Sequence, residues 1–293
     1  MKKPGDHIKR IGVVANSEKV SCAATVTEAA RLIRATGRKL FTDPVTADWT
    51  GRATVCQDTA NLARQVDLLL VFGGDGTMLR VAREIAGSHT PILGVNIGSL
   101  GFLTGVPSDE LAPALKRVWR GEFNFEARAL LQASGRCCGR LVAQTALNDI
   151  VISRGSASRL IELEVRIDGN PLTRYRCDGL IVSSPTGSTA YSLAAGGAVV
   201  FPTAAVIELT PICPHTLSNR SLILPLTARI DVRVVSPKPA TILSADGQVV
   251  SELATDDQLT IQRSRRTVRL MHLQGSSFCD TLRRKLHWRG ATL

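Results

Sequence analysis

The stretch from Val71 to Arg83 (VFGGDGTMLRVAR) sets Gly73, Gly74 and Gly76 around one carboxylate, Asp75, with an apolar run before it and a helical pattern opening at Thr77. Glycines let a backbone turn sharply and come close to a ligand, and a helix N-terminus presents free N–H groups to an anion. The bland alternative is a tight strand–helix turn with Asp75 as its cap. Three glycines in four residues favour a phosphate loop, although neither GxGxxG nor a GK[ST] ending is present. An aspartate inside such a loop repels the anion the loop attracts. It earns its place by holding a divalent cation on the phosphates or by taking a proton from an attacking hydroxyl, and nothing else in the loop neutralises it.

Three further stretches carry polar groups beyond structural need. Asn96 to Thr104 (NIGSLGFLT) leaves the next apolar run with Gly98 and Gly101, and offers Phe102 as a base-stacking ring or a core residue. Asp178 to Tyr191 (DGLIVSSPTGSTAY), followed by Gly196 and Gly197, ends a strand in a dense run of hydroxyls that suit sugar and phosphate oxygens. Its plainer reading is a β-turn and a capped helix. Asn148–Asp149 interrupts an apolar β run, where a ligand and a bulge are both open readings. The five histidines have no metal-ligand spacing, and Ser188 is not in a GxSxG elbow.

These stretches need positioning elements, and the periodicities supply them. Strands are expected at Ile11–Asn16, Lys39–Phe41, Leu68–Phe72 and Ile92–Val95, with helices at Val26–Thr36 and Thr77–Ala86 and another capped by Ser108 and running to Trp119. This alternation predicts an α/β domain with an open, mostly parallel sheet over 1–125. After Phe125 the texture becomes mainly antiparallel β: Leu141–Ser153, Leu160–Ile167 with an Asp168–Gly169 hairpin turn, Leu222–Val235, Thr241–Ser244 and Leu259–Leu270. The second domain is placed at 126–275. A helix at Ser276–Trp288 returns to the first domain, so 276–293 is counted with it.

Bulk properties narrow the classes. The chain has 293 residues, 44% hydrophobic and 21% charged, which is ordinary globular composition. No window nears the ~18 apolar residues of a membrane span, and no apolar signal segment follows the basic N-terminus, so a cytoplasmic protein is expected. Seven scattered cysteines without a CxxC argue against a disulfide framework or a zinc site; adjacent Cys137 and Cys138 are either redox-active or an ordinary turn. Net charge is +11, with eight Arg and Lys in 263–289, yet aromatics are only 4%. A solvated basic face and a polyphosphorylated substrate are favoured over nucleic acid.

Taken together, GGDGT (73–77), NIGSLGFL (96–103), LND (147–149), DGLIVSSPTGSTAYSLAAGG (178–197), TPICPHTLSNRSLILP (210–225) and DGQ (246–248) resemble the NAD kinase family in order and spacing, over roughly Ile11 to Leu286. GGDGT alone also occurs in phosphofructokinases and diacylglycerol-type lipid kinases; the long hydroxyl-rich segment is the specific part. The resemblance implies phosphoryl transfer from ATP to the adenosine ribose 2′-hydroxyl of NAD, giving NADP. It makes Asp75 the catalytic aspartate, puts Gly73, Gly74, Gly76, Thr77 and Arg80 at the nucleotide, and sets Phe102 against the dinucleotide. Asn148 and Asp149 match the pair that grips NAD, where many members carry the longer Glu at the second position. Arg159, Arg176, Asp178, Thr186, Thr189, Ala190, Tyr191 and Gln248 match further contacts. A divalent cation (Mg²⁺ or Mn²⁺), held by ATP phosphates or Asp75, and a homodimer or homotetramer are implied as well. A lipid or sugar kinase would need an apolar acceptor pocket, and a non-catalytic NAD sensor would need a damaged GGDGT.

Overall fold

A computed structural model describes residues 4–16, 21–98, 101–155, 159–215, 220–235 and 241–288. The chain divides into two compact units, Met1–Ala127 with Val268–Leu293, and Arg128–Thr267.

The first unit is built on parallel strands β1 (Arg10–Ala15), β2 (Lys39–Thr42), β3 (Thr54–Val55), β4 (Leu68–Gly73), β5 (Ile92–Asn96) and β6 (Val106–Pro107). They run in the order β3-β2-β1-β4-β5, and β6 also pairs with β5. All six residues of β4 (LLLVFG) are buried, as a strand covered on both faces requires. Helix α1 (Ser21–Ala35) buries Cys22, Val26, Ala29, Ala30 and Ile33, a stripe at helical spacing. Between β2 and β4 lie α2 (Ala47–Thr50) and α3 (Thr59–Gln65), neither expected from periodicity because each is so short. The start of α3 was nonetheless written in the chain: the Asp58 carboxylate accepts the Asn61 N–H at 2.6 Å, an N-cap.

Two helix starts differ from expectation. Helix α4 spans Asp75–Glu84, beginning two residues before Thr77, with Gly74 at the N-cap and no side-chain cap bond. Asp75 is therefore a first-turn residue and not the cap. Ser108 does not cap α5 either: Ser108–Glu110 wind into a 3₁₀ turn without a side-chain cap, and α5 runs Leu111–Arg120, closed by Gly121 in the left-handed conformation.

The second unit is antiparallel β throughout its registered pairs. After β7 (Phe123–Cys137), which enters from the first unit, come β8 (Arg140–Ala146), β9 (Asp149–Ser153), β10 (Ile161–Ile167), β11 (Asn170–Cys177), β12 (Gly179–Ser183), β13 (Val206–Ile212), β14 (Leu222–Pro225), β15 (Ile230–Val234), β16 (Thr241–Ala245), β17 (Gln248–Leu253) and β18 (Gln258–Leu273). One sheet orders β14-β13-β12-β9-β16-β17; the other joins β11-β10-β15-β18, with β7 on β18 and β8 on β7. Their inner faces share a core that includes Leu131, Ile150, Leu163, Leu180, Ile230, Leu243 and Leu259. The expected run Leu141–Ser153 is broken at Leu147–Asn148, where the chain leaves one sheet for the other. Hairpins at Cys138–Gly139, Asp168–Gly169 and Asp246–Gly247 have both turn residues at positive φ, the geometry that matches strand twist. Cys137 thus ends β7 and is buried, while Cys138 opens the turn and is exposed.

The C-terminal helix, Phe278–Lys285, belongs to the first unit and buries Leu282. Its Phe278 ring lies 6.4 Å from that of Phe102, and Lys285 Nζ lies 5.8 Å from the Phe102 ring.

Candidate active site

In the first unit, β4 delivers Gly73 to the start of α4. A Cβ on Gly73 would sit 2.3 Å from Thr77 Oγ1, so the turn itself demands glycine there. Gly74 and Gly76 are different. Neither has positive φ, and a Cβ on either would meet nothing within 4 Å. The fold does not need these two glycines for space, and they leave the amino end of α4 bare to an approaching anion.

The carboxylate of Asp75 does not point into a void. Its Oδ2 accepts the Phe102 N–H at 2.8 Å and its Oδ1 the Leu103 N–H at 3.0 Å. A Cβ on Gly101 would fall 2.0 Å from Asp75 Oδ1, which accounts for that glycine. The two glycine-rich stretches are therefore locked to each other through one aspartate. Within its own loop Asp75 has no neutralising partner in these bonds; the two donors come from the second stretch. Ser99 and Leu100 of the second stretch lie outside the described residues. Arg80, one turn further along α4, forms a half-exposed ion pair with Glu84 at 3.1 Å.

In the second unit, the break between β8 and β9 carries Asn148 and Asp149. The Asp246 carboxylate holds the break by accepting N–H groups of Leu147 (3.1 Å), Asn148 (2.7 Å) and Asp149 (3.4 Å). The Asn148 carbonyl accepts the Ser184 N–H at 2.8 Å, and a Cβ on Gly187 would lie 2.2 Å from that oxygen. The LND and hydroxyl-rich stretches are thus in contact. Asp149 is 4% exposed, and no described residue donates to its carboxyl. Burial, and then the neighbouring Asp246 charge, push its pKa up to about 7.

The hydroxyl-rich stretch is wired mostly inward. Ser183, Ser184, Ser188 and Ser192 are fully buried, and each bonds other parts of the fold. What remains toward solvent is Thr189 and Ala190, both half-buried, and Tyr191, 46% exposed. Thr186 is buried, and its hydroxyl accepts a hydrogen bond from buried Arg128 at 3.3 Å. Gln248 is exposed at the first position of β17, directly after the Asp246–Gly247 turn.

Asp178 is ion-paired to Arg154 at 2.7 Å. Arg176 is exposed on β11, and Arg159 is exposed before β10. Among the described residues no cluster of three or more His, Cys, Asp or Glu could hold a metal, and no helix is long and apolar enough to cross a membrane.

Two family models account for most of the chain: the ATP-NAD kinase N-terminal domain matches residues 11–123, and the ATP-NAD kinase C-terminal domain matches residues 147–273. The chain belongs to the ATP-NAD kinase family. Relatives in this family include the NAD kinase of Syntrophotalea carbinolica, 39% identical across 96% of this chain and 99% of the relative. The NAD kinase of Moorella thermoacetica is 42% identical across 95% of this chain and 89% of its own. Yeast NADH kinase complexed with NADH has a similar structure, with a TM-score of 0.88 at 25% identity over 98% of this chain and 89% of that one. An NAD kinase from Archaeoglobus fulgidus in complex with ATP gives 0.73 at 25% identity, covering 96% and 100%.

Three residues of this ATP-NAD kinase family member escaped the sequence reading. Arg128 had a usable signal, because it shares the inward face of β7 with Leu130, an odd place for a cation. Asp246 read only as part of a DGQ match, and Glu208 had only its apolar neighbours to mark it.

Proposed function

We propose that the protein is an NAD kinase, moving the γ-phosphoryl group of ATP onto the 2′-hydroxyl of the adenosine ribose of NAD. The observation that carries this reading is the bare start of α4, where Gly74 and Gly76 leave backbone N–H groups open beside a carboxylate clamped by a second loop. Family membership supports the same chemistry, and named relatives are NAD kinases.

In this reading Gly73, Gly74, Gly76 and Thr77 cradle phosphate at the helix end. Asp75, oriented by Phe102 and Leu103 N–H groups, accepts the proton of the attacking hydroxyl as the new O–P bond forms and ADP leaves. Arg80 turns from Glu84 to the nucleotide; a surface pair of this kind is worth under about 1 kcal/mol, so release costs little. Phe102 stacks on the dinucleotide. Asn148, Asp149, Thr186, Thr189, Ala190, Tyr191 and Gln248 hold NAD, with Arg159, Arg176 and Asp178 as outer contacts. A divalent cation would supply charge neutralisation on the phosphates. ATP oxygens would be its main ligands, with Asp75 as the carboxylate that the loop offers it. A cytoplasmic homo-oligomer completes the proposal.

Purified protein incubated with NAD, ATP and Mg²⁺, with each omitted in turn, tests this. NADP should form only in the complete mixture. Phosphorylation of diacylglycerol or fructose 6-phosphate with NAD untouched would instead favour a lipid or sugar kinase.

A further inference from the structure

One carboxyl group in the second unit lies outside every stretch used above. Glu208 sits mid-way along β13 (VIELTPI), 1% exposed, between apolar neighbours. No arginine or lysine among the described residues pairs with it. Its Oε2 accepts the Ser192 hydroxyl at 2.8 Å, and its Oε1 accepts the Ala198 N–H at 2.5 Å. Ser192 Oγ is also 2.9 Å from Thr210 Oγ1, which lies 3.0 Å from Ser221 Oγ. A polar group buried in a sheet is retained at a cost unless its bonds fix something useful.

What these bonds fix is the segment from 191 to 198. Helix α6 (Tyr191–Ala194) is one turn long and has no side-chain cap bond, so it does not stand by itself. The chain then reverses at Gly196, with φ of +90°, and Gly197 donates back to the Ser192 carbonyl at 2.8 Å. A Cβ on Gly197 would lie 2.3 Å from Ser192 Oγ and 2.8 Å from Glu208 Oε1. The double glycine, read from sequence as more than a turn needs, is the shape of a loop wrapped around a carboxyl group. Tyr191, the exposed ring, is the residue directly before Ser192.

We infer that Glu208 is a positioning residue, anchoring the Tyr191–Ala198 segment from both ends so that Tyr191, Ala190 and Thr189 present one fixed surface to NAD. The inference rests on the NAD-binding role proposed for those three residues. Glu208 touches no substrate itself; it acts through Ser192 and the Ala198 amide.

The test compares Glu208→Ala, Glu208→Gln and Ser192→Ala with Asp231→Asn, which loosens another buried carboxylate network (Arg229, Thr260) on the other sheet of the same unit. Glu208→Ala should raise KM for NAD by about 10–100-fold while KM for ATP stays within about twofold, with smaller rises for Glu208→Gln and Ser192→Ala. Asp231→Asn should lower the melting temperature without moving KM for NAD. If Glu208→Ala does not fold, Glu208→Gln and Ser192→Ala decide. A KM for NAD within about twofold of wild type in the folded Glu208 variants overturns the inference, as does an equal rise in Asp231→Asn. Hydrogen exchange of the 190–198 amides separates this from the function itself. Exchange in Glu208→Gln should rise by about tenfold or more there. Unchanged exchange overturns the anchoring role even if the wild type makes NADP, and raised exchange sustains it even if it makes none.

Discussion

Asp75 and Asp149 are the same side chain in opposite circumstances. Asp75 is half-buried at a helix start and takes two backbone N–H groups at 2.8 and 3.0 Å. Asp149 is 4% exposed, receives no hydrogen bond from a described residue, and has a second carboxylate, Asp246, for a neighbour. The first is held in place by two backbone N–H groups; the second is pushed toward its neutral form by burial and by the Asp246 charge. In the proposed function the first accepts a proton and the second gives a protonation-sensitive grip on NAD, and the contrast in their donors makes each role testable.

The largest expected effect breaks the first half of that contrast. Asp75→Asn should lower turnover by about 10²–10⁴ at saturating NAD and ATP. The amide also turns an N–H toward a donor, so one clamp bond is lost and stability should drop by about 1–3 kcal/mol in a denaturant melt. Gly101→Ala sharpens the point with Asp75 intact: a Cβ 2.0 Å from Oδ1 forces the carboxylate aside, and turnover should fall by about 10²-fold. Turnover near wild type in both variants would reduce Asp75 to a loop clamp. If Asp75 instead chiefly holds the cation, excess Mn²⁺ should recover part of the rate in Asp75→Asn.

Next in size is Asp149→Ala, which should weaken NAD binding by about 1.5–3 kcal/mol and leave ATP binding unchanged in separate titrations. Equal loss for both ligands, with a lower melting temperature, would make Asp149 a structural residue of the β8–β9 break.

The smallest effect is a pH dependence. Because the folded pKa of Asp149 is raised from 3.8 to about 7, the native state keeps a proton that the unfolded chain has lost across that interval. This contribution to stability is whole below about 3.8, declines as pH rises through 7, and is gone above. NAD affinity should move the other way and strengthen as the carboxylate ionises near pH 7. Asp149→Asn should flatten both profiles, measured by chemical melts and titrations between pH 5 and 8.5; unaltered profiles would detach them from Asp149.

Much of this site was legible in the residues. GGDGT at the end of an all-apolar run pointed to a strand–loop–helix, and LND stood out inside a β run, although as a ligand contact or a bulge and not as the change of sheet found there. What stayed hidden was which hydroxyls face inward. Ser183, Ser184, Ser188 and Ser192 read like ligand groups, but Asn148, Leu147, Val200 and Glu208, to which they bond in turn, are 12 to 37 residues away, and only the folded chain brings them together. The same holds for the Asp75 clamp, whose donors lie 27 and 28 residues on. Short elements such as α2 and α3 have too few turns for a periodic signal, and Ser108 has the right residue type for a cap on a segment that winds as 3₁₀.

The most direct test of the account follows the phosphoryl group itself. With γ-labelled ATP, NAD and Mg²⁺, the label should appear in a dinucleotide that an NADP-specific dehydrogenase reduces, which reads the 2′ position, and Asp75→Asn should cut the rate of that transfer. Label released only as inorganic phosphate, or carried by a product that the dehydrogenase rejects, would contradict it.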